Sequence, residues 1–230
     1  MWNRQQVKEQ AKIIMKRNYW KMFVVTLLAG LLTGEKTTII ERVQNFASTN
    51  ISYNTSPIFY SSNFQYIFYS FISIASILGI LYTIFIGNVI VVGKSRYFIK
   101  NHDVNPELGE IFSGFKGNYL NVVKIMFLMN LKILLWLFLF IVPGFIKAYE
   151  YSMIPYLLAE NPNLSADEAF SLSKQMTTGQ KMDLFVLDLS FLGWIILGLI
   201  CCGIGILFVL PYPEATNAEV YLILKESVKI

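Results

Sequence analysis

The chain has 230 residues, of which 55% are hydrophobic and 15% are charged, and its formal net charge is +4. Soluble domains typically carry about 25% charged residues, so this composition argues against a water-soluble enzyme and is typical of a membrane protein. The basic residues cluster beside apolar stretches, which indicates membrane orientation and argues against nucleic-acid binding.

The chain begins with a predicted basic amphipathic helix over residues 3–18, and Tyr19 and Trp20 then mark a membrane interface. No acidic or basic residue occurs between Arg42 and Lys94. About 20 apolar residues suffice for a helix to cross a bilayer. We therefore predict an all-α bundle in one integral membrane domain, residues 1–230, with a polar external loop over 35–62. The six predicted spans cover residues 19–34, 64–93, 119–142, 145–160, 183–200 and 204–226.

Proline and glycine are expected to break or bend the later spans. Pro143 and Gly144 should end the third span, Pro155 lies within the fourth, and Pro211 should bend the sixth. A turn around Gly203 separates the last two spans. The alternative is one long helix over residues 184–210, which would leave five spans.

Positive charge favours the cytoplasmic side of a membrane. Most lysines and arginines fall in segments that the six-span layout places inside, whereas Lys36, Arg42 and Lys147 lie outside or at the outer edge. Both termini are therefore predicted to be cytoplasmic.

Three cytoplasmic segments share a short amphipathic stretch before a span, over residues 11–20, 110–119 and 169–181. In the third, Ser165 and Glu168 form a capping-box pattern that predicts a helix over 165–176. The repetition favours three parallel helical hairpins, although any multispan protein has basic interface segments.

Four ionisable residues fall within predicted spans, and we expect them to face the bundle interior as one polar cluster, because isolated charges in a bilayer are costly. Lys132 should pair with Glu150 or Glu214. The cluster is either polar contact between helices or a path for protons, ions or solutes. Its members are Lys132, Glu150, Asp188 and Glu214.

No catalytic, cofactor or metal motif is predicted. The single histidine, His102, cannot build a zinc site, and the adjacent Cys201 and Cys202 do not have metal-site spacing. Gly93-Lys94-Ser95 lacks the preceding glycine of a phosphate-binding loop.

Several runs resemble a bacterial integral-membrane family known as domain of unknown function 975. They are residues 135–156, which include Pro143-Gly144, together with 164–174, 190–194, Pro211-Tyr212 and Arg17 to Trp20. The family pattern usually has isoleucine where this chain has Phe145. The resemblance implies a multi-pass protein of the bacterial cytoplasmic membrane, distantly similar to membrane domains of glycerophosphodiester phosphodiesterases, and supplies no catalytic residue.

The expected function is therefore that of a non-enzymatic membrane scaffold, accessory or envelope-protection protein. Its partners would be the lipid bilayer and a membrane protein, contacted through the amphipathic helices 3–18 and 165–176. The alternative is a small solute or ion transporter or permease component that uses the intramembrane charges. A membrane-embedded lipid enzyme is a third reading.

Overall fold

The computed structural model describes residues 2–33, 62–200 and 204–228, and this part of the chain is helical without any strand. The predicted all-α class is therefore confirmed for these residues. Apart from Ser62, the predicted external loop lies outside the described residues, as do Cys201 and Cys202. The helices are α1 (Arg4–Thr33), α2 (Ser62–Tyr82), α3 (Asn88–Asp103), α4 (Tyr119–Leu139), α5 (Ile141–Glu150), α6 (Ile154–Glu160), α7 (Ala166–Thr177), α8 (Lys181–Ile200), α9 (Ile204–Val209) and α10 (Pro211–Val228).

The first helix unites the predicted amphipathic segment and the first apolar segment, with a kink at Asn18 (φ −133°, ψ 27°). The kink is held by polar contacts to the end of α3. Asn18 Nδ2 donates to Asn101 Oδ1 at 2.7 Å, and Arg17 donates to the carbonyls of Asn101 and His102. These carbonyls end a helix and have no partner within it, so the contacts fix the two helices together.

Two helical stretches in the described part of the chain are long and apolar enough to cross a membrane. They are Ser73–Asp103, which joins α2 to α3 through a π-helical turn at Thr83–Gly87, and Tyr119–Leu139. A 3-10 helix, Leu108–Phe115, lies between them. The structure therefore supports two of the apolar segments as possible crossings and does not confirm the six predicted spans.

The third predicted span ends earlier than expected. Phe140 is extended (φ −155°, ψ 135°), and α5 begins directly after it, so Pro143 and Gly144 lie in the first turn of α5. A proline cannot donate to the carbonyl four residues earlier and its ring clashes there, so a helix through this region breaks before the proline. A Cβ on Gly144 would approach Leu137 Cγ to 2.7 Å, so the glycine allows a tight α4–α5 hairpin.

The fourth predicted span, 145–160, is not one helix. Tyr151 to Met153 form a turn between α5 and α6, and Pro155 lies at the start of α6, where its missing N–H is tolerated. At 1.5 Å per residue, α5 is roughly 15 Å long and α6 roughly 10 Å, against about 30 Å of bilayer core. Neither helix crosses a membrane alone.

The C-terminal region contains a second tight hairpin. A Cβ on Gly198 would lie 2.8 Å from Ile206 N, so α9 folds back onto α8. The alternative of one helix over 184–210 is therefore wrong. The sixth predicted span is divided between α9 and α10, with the break at Leu210, directly before Pro211.

The interior consists of two apolar clusters that share α3 and α6. One also includes α1, α8 and α10, the other includes α4, and α7 contributes side chains to both. The amphipathic segments contribute to both: Val7, Ala11 and Ile14 of α1 are buried, as are Phe170 and Met176 of α7. These five side chains therefore pack inside the protein.

The α4–α5 hairpin, the middle of α8 and the part of α2 that begins at Phe71 differ from this packed interior. Large apolar side chains there are exposed, including Ile77 (58%), Phe138 (83%), Val142 (69%) and Leu197 (57%). We call the exposed apolar surface of residues 71, 73–86, 134–146 and 185–197 the apolar belt. Monomeric soluble proteins rarely expose continuous apolar patches larger than a few hundred Å².

Candidate functional site

The four charged residues predicted to cluster are divided among three places. Lys132 lies with its Nζ 3.6 Å from the centre of the Phe170 ring on α7. Its predicted pairing with Glu150 or Glu214 is wrong, because both carboxylates have other lysine partners. A lysine over an aromatic face gains cation–π attraction without a carboxylate.

Glu150 joins three helices. Its buried carboxylate accepts hydrogen bonds from Lys147 Nζ at 2.7 Å and Lys181 Nζ at 2.6 Å. Its backbone carbonyl accepts a hydrogen bond from Ser173 Oγ at 2.7 Å. The end of α5 is thereby tied to α7 and to the start of α8.

Asp188 and Glu214 share a polar cavity of about 200 Å³ between α3, α5, α6, α8 and α10. Lys94 Nζ donates to Glu214 Oε1 at 2.7 Å, and Tyr149 Oη donates to Asp188 Oδ2 at 2.9 Å. The other polar residues that line the cavity are Ser95, Ser152, Tyr156 and Asn217. We call this space the polar cavity.

Lys94 is the member that the sequence reading missed, since it was assigned to a cytoplasmic loop. In the structure it is buried in the middle of α3, which runs on to Asp103. The preceding Gly93 lies directly against the carbonyl of Ile111, so α3 and the 3-10 helix touch through their backbones. In the sequence, Gly93 beside Lys94 was the available signal that α3 continues into a region where another backbone packs against it.

Two further polar contacts hold α10 in place. His102 Nδ1 lies 2.9 Å from Glu219 Oε1, although the sequence reading left this histidine in a loop. Glu160 at the end of α6 accepts hydrogen bonds from Tyr221 Oη at 2.7 Å and Lys225 Nζ at 2.6 Å. α10 is therefore tied to both α3 and α6.

Outside the apolar segments, Glu110 of the 3-10 helix accepts a hydrogen bond from Lys100 Nζ at 2.6 Å. This hydrogen bond lowers the pKa of Glu110 below its ordinary value, and the charges of Lys100 and Arg96 lower the pKa further. The ion pair fastens the 3-10 helix to α3.

The described residues contain no group of three His, Cys, Asp or Glu side chains arranged to hold a metal ion. The polar cavity offers an ammonium, two carboxylates and several hydroxyl groups. Such a set can hold a small polar or charged solute by hydrogen bonds.

Comparison with known proteins finds a match to one family model in the C-terminal part. Residues 140–227 match the family described as "Protein of unknown function (DUF975)". The resemblance noted from the sequence is thereby confirmed over this range, which contains α5 to α10 apart from its last residue. No curated protein and no solved structure matches the chain.

Proposed function

We propose that the chain is a non-enzymatic integral protein of the bacterial cytoplasmic membrane, with an accessory or scaffold role. The apolar belt supports the membrane location, because lipid tails are the solvent in which such a surface is stable. The observation that carries the scaffold role is that all four charged residues of the apolar segments are engaged with other helices. Lys132, Glu150, Asp188 and Glu214 each contact a side chain of another helix.

The two hairpins with apolar ends indicate a layout with fewer crossings than six. Lys132 and Lys147 lie eight and seven residues from the hairpin end at Phe140. At 1.5 Å per residue the α4–α5 end therefore extends only about 10–12 Å beyond these charges, which is less than half of a roughly 30 Å core. In this proposal the hairpin enters one leaflet and returns, and both chain termini stay in the cytoplasm.

The partner-facing surfaces would be the polar faces of α1 and α7. Their apolar faces pack internally, whereas Lys12, Lys16 and Lys174 are exposed. These faces would recognise lipid headgroups or an acidic surface of a membrane protein.

The polar cavity supports a second candidate, a small transporter or permease component. In that reading Lys94, Asp188 and Glu214 would hold the solute or relay protons. The direct contact of 2.7 Å between Lys94 Nζ and Glu214 Oε1 favours the scaffold role, since each charge already has its counter-charge without a bound solute.

Replacement of the pair separates the two candidates. We expect Lys94→Met or Glu214→Gln alone to lower the unfolding temperature, because each leaves one charge without its partner. The double variant Lys94→Met/Glu214→Met should recover most of the loss, since apolar replacement of a buried pair is often neutral.

The same proteins are then reconstituted in vesicles that contain a pH-sensitive dye. The scaffold proposal expects wild type and double variant to give the same proton flux as empty vesicles. Wild-type flux above that background, abolished in a folded double variant, would overturn the proposal in favour of transport.

A further inference from the structure

An apolar groove of about 410 Å³ lies between α1 and the α8–α9 hairpin. Its floor and walls include Met15, Tyr19, Trp194 and Phe208, and Lys12 and Lys16 stand at its edge. The volume falls within the roughly 300–1,000 Å³ of small-molecule sites. Unlike the polar cavity, this groove contains an almost wholly apolar surface beside exposed positive charge.

The positive edge belongs to a longer stripe. Arg4, Lys8, Lys12 and Lys16 follow one another at four-residue spacing, so they share one face of α1. Lys8 is already engaged, since it donates to Ser190 Oγ and lies 4.9 Å from the Phe191 ring. Within the described part of the chain, Lys12 and Lys16 are exposed and form no ion pair.

Like charges on this face repel one another. Burial lowers the pKa of Lys8, and the neighbouring charges of Lys12 and Arg4 lower the pKa further. An anion placed between Lys12 and Lys16 would reduce this repulsion.

The groove is also surrounded by aromatic rings. Tyr19 donates its hydroxyl to the carbonyl of Phe208 at 3.0 Å, and Phe23 stacks on Phe208 with 5.3 Å between ring centres. Trp20 is 68% exposed beside them. Tyrosine and tryptophan are enriched at the level of lipid headgroups, which places the groove where headgroup and acyl chain meet.

We propose that this groove binds one anionic phospholipid, with its phosphate between Lys12 and Lys16 and the upper part of one acyl chain against Met15, Trp194 and Phe208. The inference rests on the proposed membrane location. A zwitterionic lipid fits the apolar part equally well, but its own ammonium opposes the two lysines. Charge complementarity therefore selects the anionic class.

Tryptophan fluorescence can report occupancy of the groove. The reporter is the full chain with Trp2→Phe, Trp20→Phe and Trp136→Phe, which leaves Trp194 as its one tryptophan. The reporter is reconstituted in phosphatidylcholine vesicles that contain a small fraction of phosphatidylglycerol with brominated acyl chains, which quench nearby tryptophan. A parallel sample carries the same fraction of brominated phosphatidylcholine.

We expect stronger quenching by the brominated phosphatidylglycerol. In Lys12→Gln/Lys16→Gln the preference should fall by a factor of up to roughly 25, since each of the two lysines contributes a factor of roughly five near an anionic surface. The matched control Lys116→Gln/Lys124→Gln removes the same charge from exposed positions outside the groove, and it should keep the preference. The preference should also weaken as salt rises.

Equal quenching by the two lipids, or an equal loss in the control variant, would overturn the lipid site while leaving the membrane location intact. No quenching by either lipid, together with failure of the protein to float with the vesicles, would instead contradict the proposed function. If the lysine variant fails to fold, raised salt applied to the folded reporter gives the same test.

Discussion

At the scale of single residues, the charged side chains in apolar segments connect helices. The contacts between helices join elements that are distant in sequence, as with Lys94 and Glu214 or Lys181 and Glu150. The sequence allowed the prediction that such residues need partners, because isolated charges are costly in lipid. It did not indicate which partners, because these depend on the depth and rotation of every helix.

Glu150 provides the sharpest test of the structural role of these charges. We expect Glu150→Gln to reduce the free energy of unfolding by on the order of 3 kcal/mol, because Lys147 and Lys181 both lose their counter-charge. Thermal or denaturant unfolding in detergent measures the change. Asp103→Asn is the matched control, since its side chain is 83% exposed, and it should alter stability little.

Glu110 gives a prediction about pH. Its pKa is lowered in the folded protein, so its stabilising contribution is present above the ordinary pKa of 4.5 and is lost as pH falls through the folded pKa. Wild type should exceed Glu110→Gln in stability by roughly 0.2–1 kcal/mol near pH 7, and the two should converge in acid. Unfolding midpoints of both proteins between pH 7 and pH 3 measure this; a constant difference would contradict it.

At the scale of elements, the sequence predicted the lengths of the apolar segments better than the positions where helices break. The helix predicted over 165–176 is present as Ala166–Thr177, with the expected capping box of Ser165 and Glu168. Local chemistry decides such a cap. The break at Phe140 instead reflects Pro143 and the close approach of Gly144 to Leu137, which is a tertiary contact.

The α4–α5 hairpin yields a prediction that distinguishes one-leaflet entry from two full crossings. With Cys201 and Cys202 replaced by serine, a single cysteine at Phe140→Cys should resist a membrane-impermeant maleimide added to either side of sealed vesicles, because the proposed layout places the hairpin end within the core. Lys174→Cys on the exposed face of α7 is the control and should react from the cytoplasmic side. Labelling of the hairpin end from the outer side would support the original six-span layout.

At the scale of the whole molecule, the protein has a packed part and an apolar belt. The packed part contains both clusters around α3 and α6, and the belt contains described residues of α2, of the α4–α5 hairpin and of α8. The amount of apolar sequence predicted a membrane protein. It did not reveal that the predicted fourth span is a buried short helix plus half a hairpin, because buried and lipid-facing segments are equally apolar.

The most direct test of the proposal that the apolar belt faces lipid is the environment of spin labels at Ile77, Phe138 and Leu197 in reconstituted bilayers. Collision rates are measured with oxygen, which concentrates in lipid, and with a water-soluble nickel complex. We expect high oxygen and low nickel rates at all three positions, and the reverse at Lys174. Nickel rates at the three belt positions equal to that at Lys174 would contradict the membrane location and the function built on it.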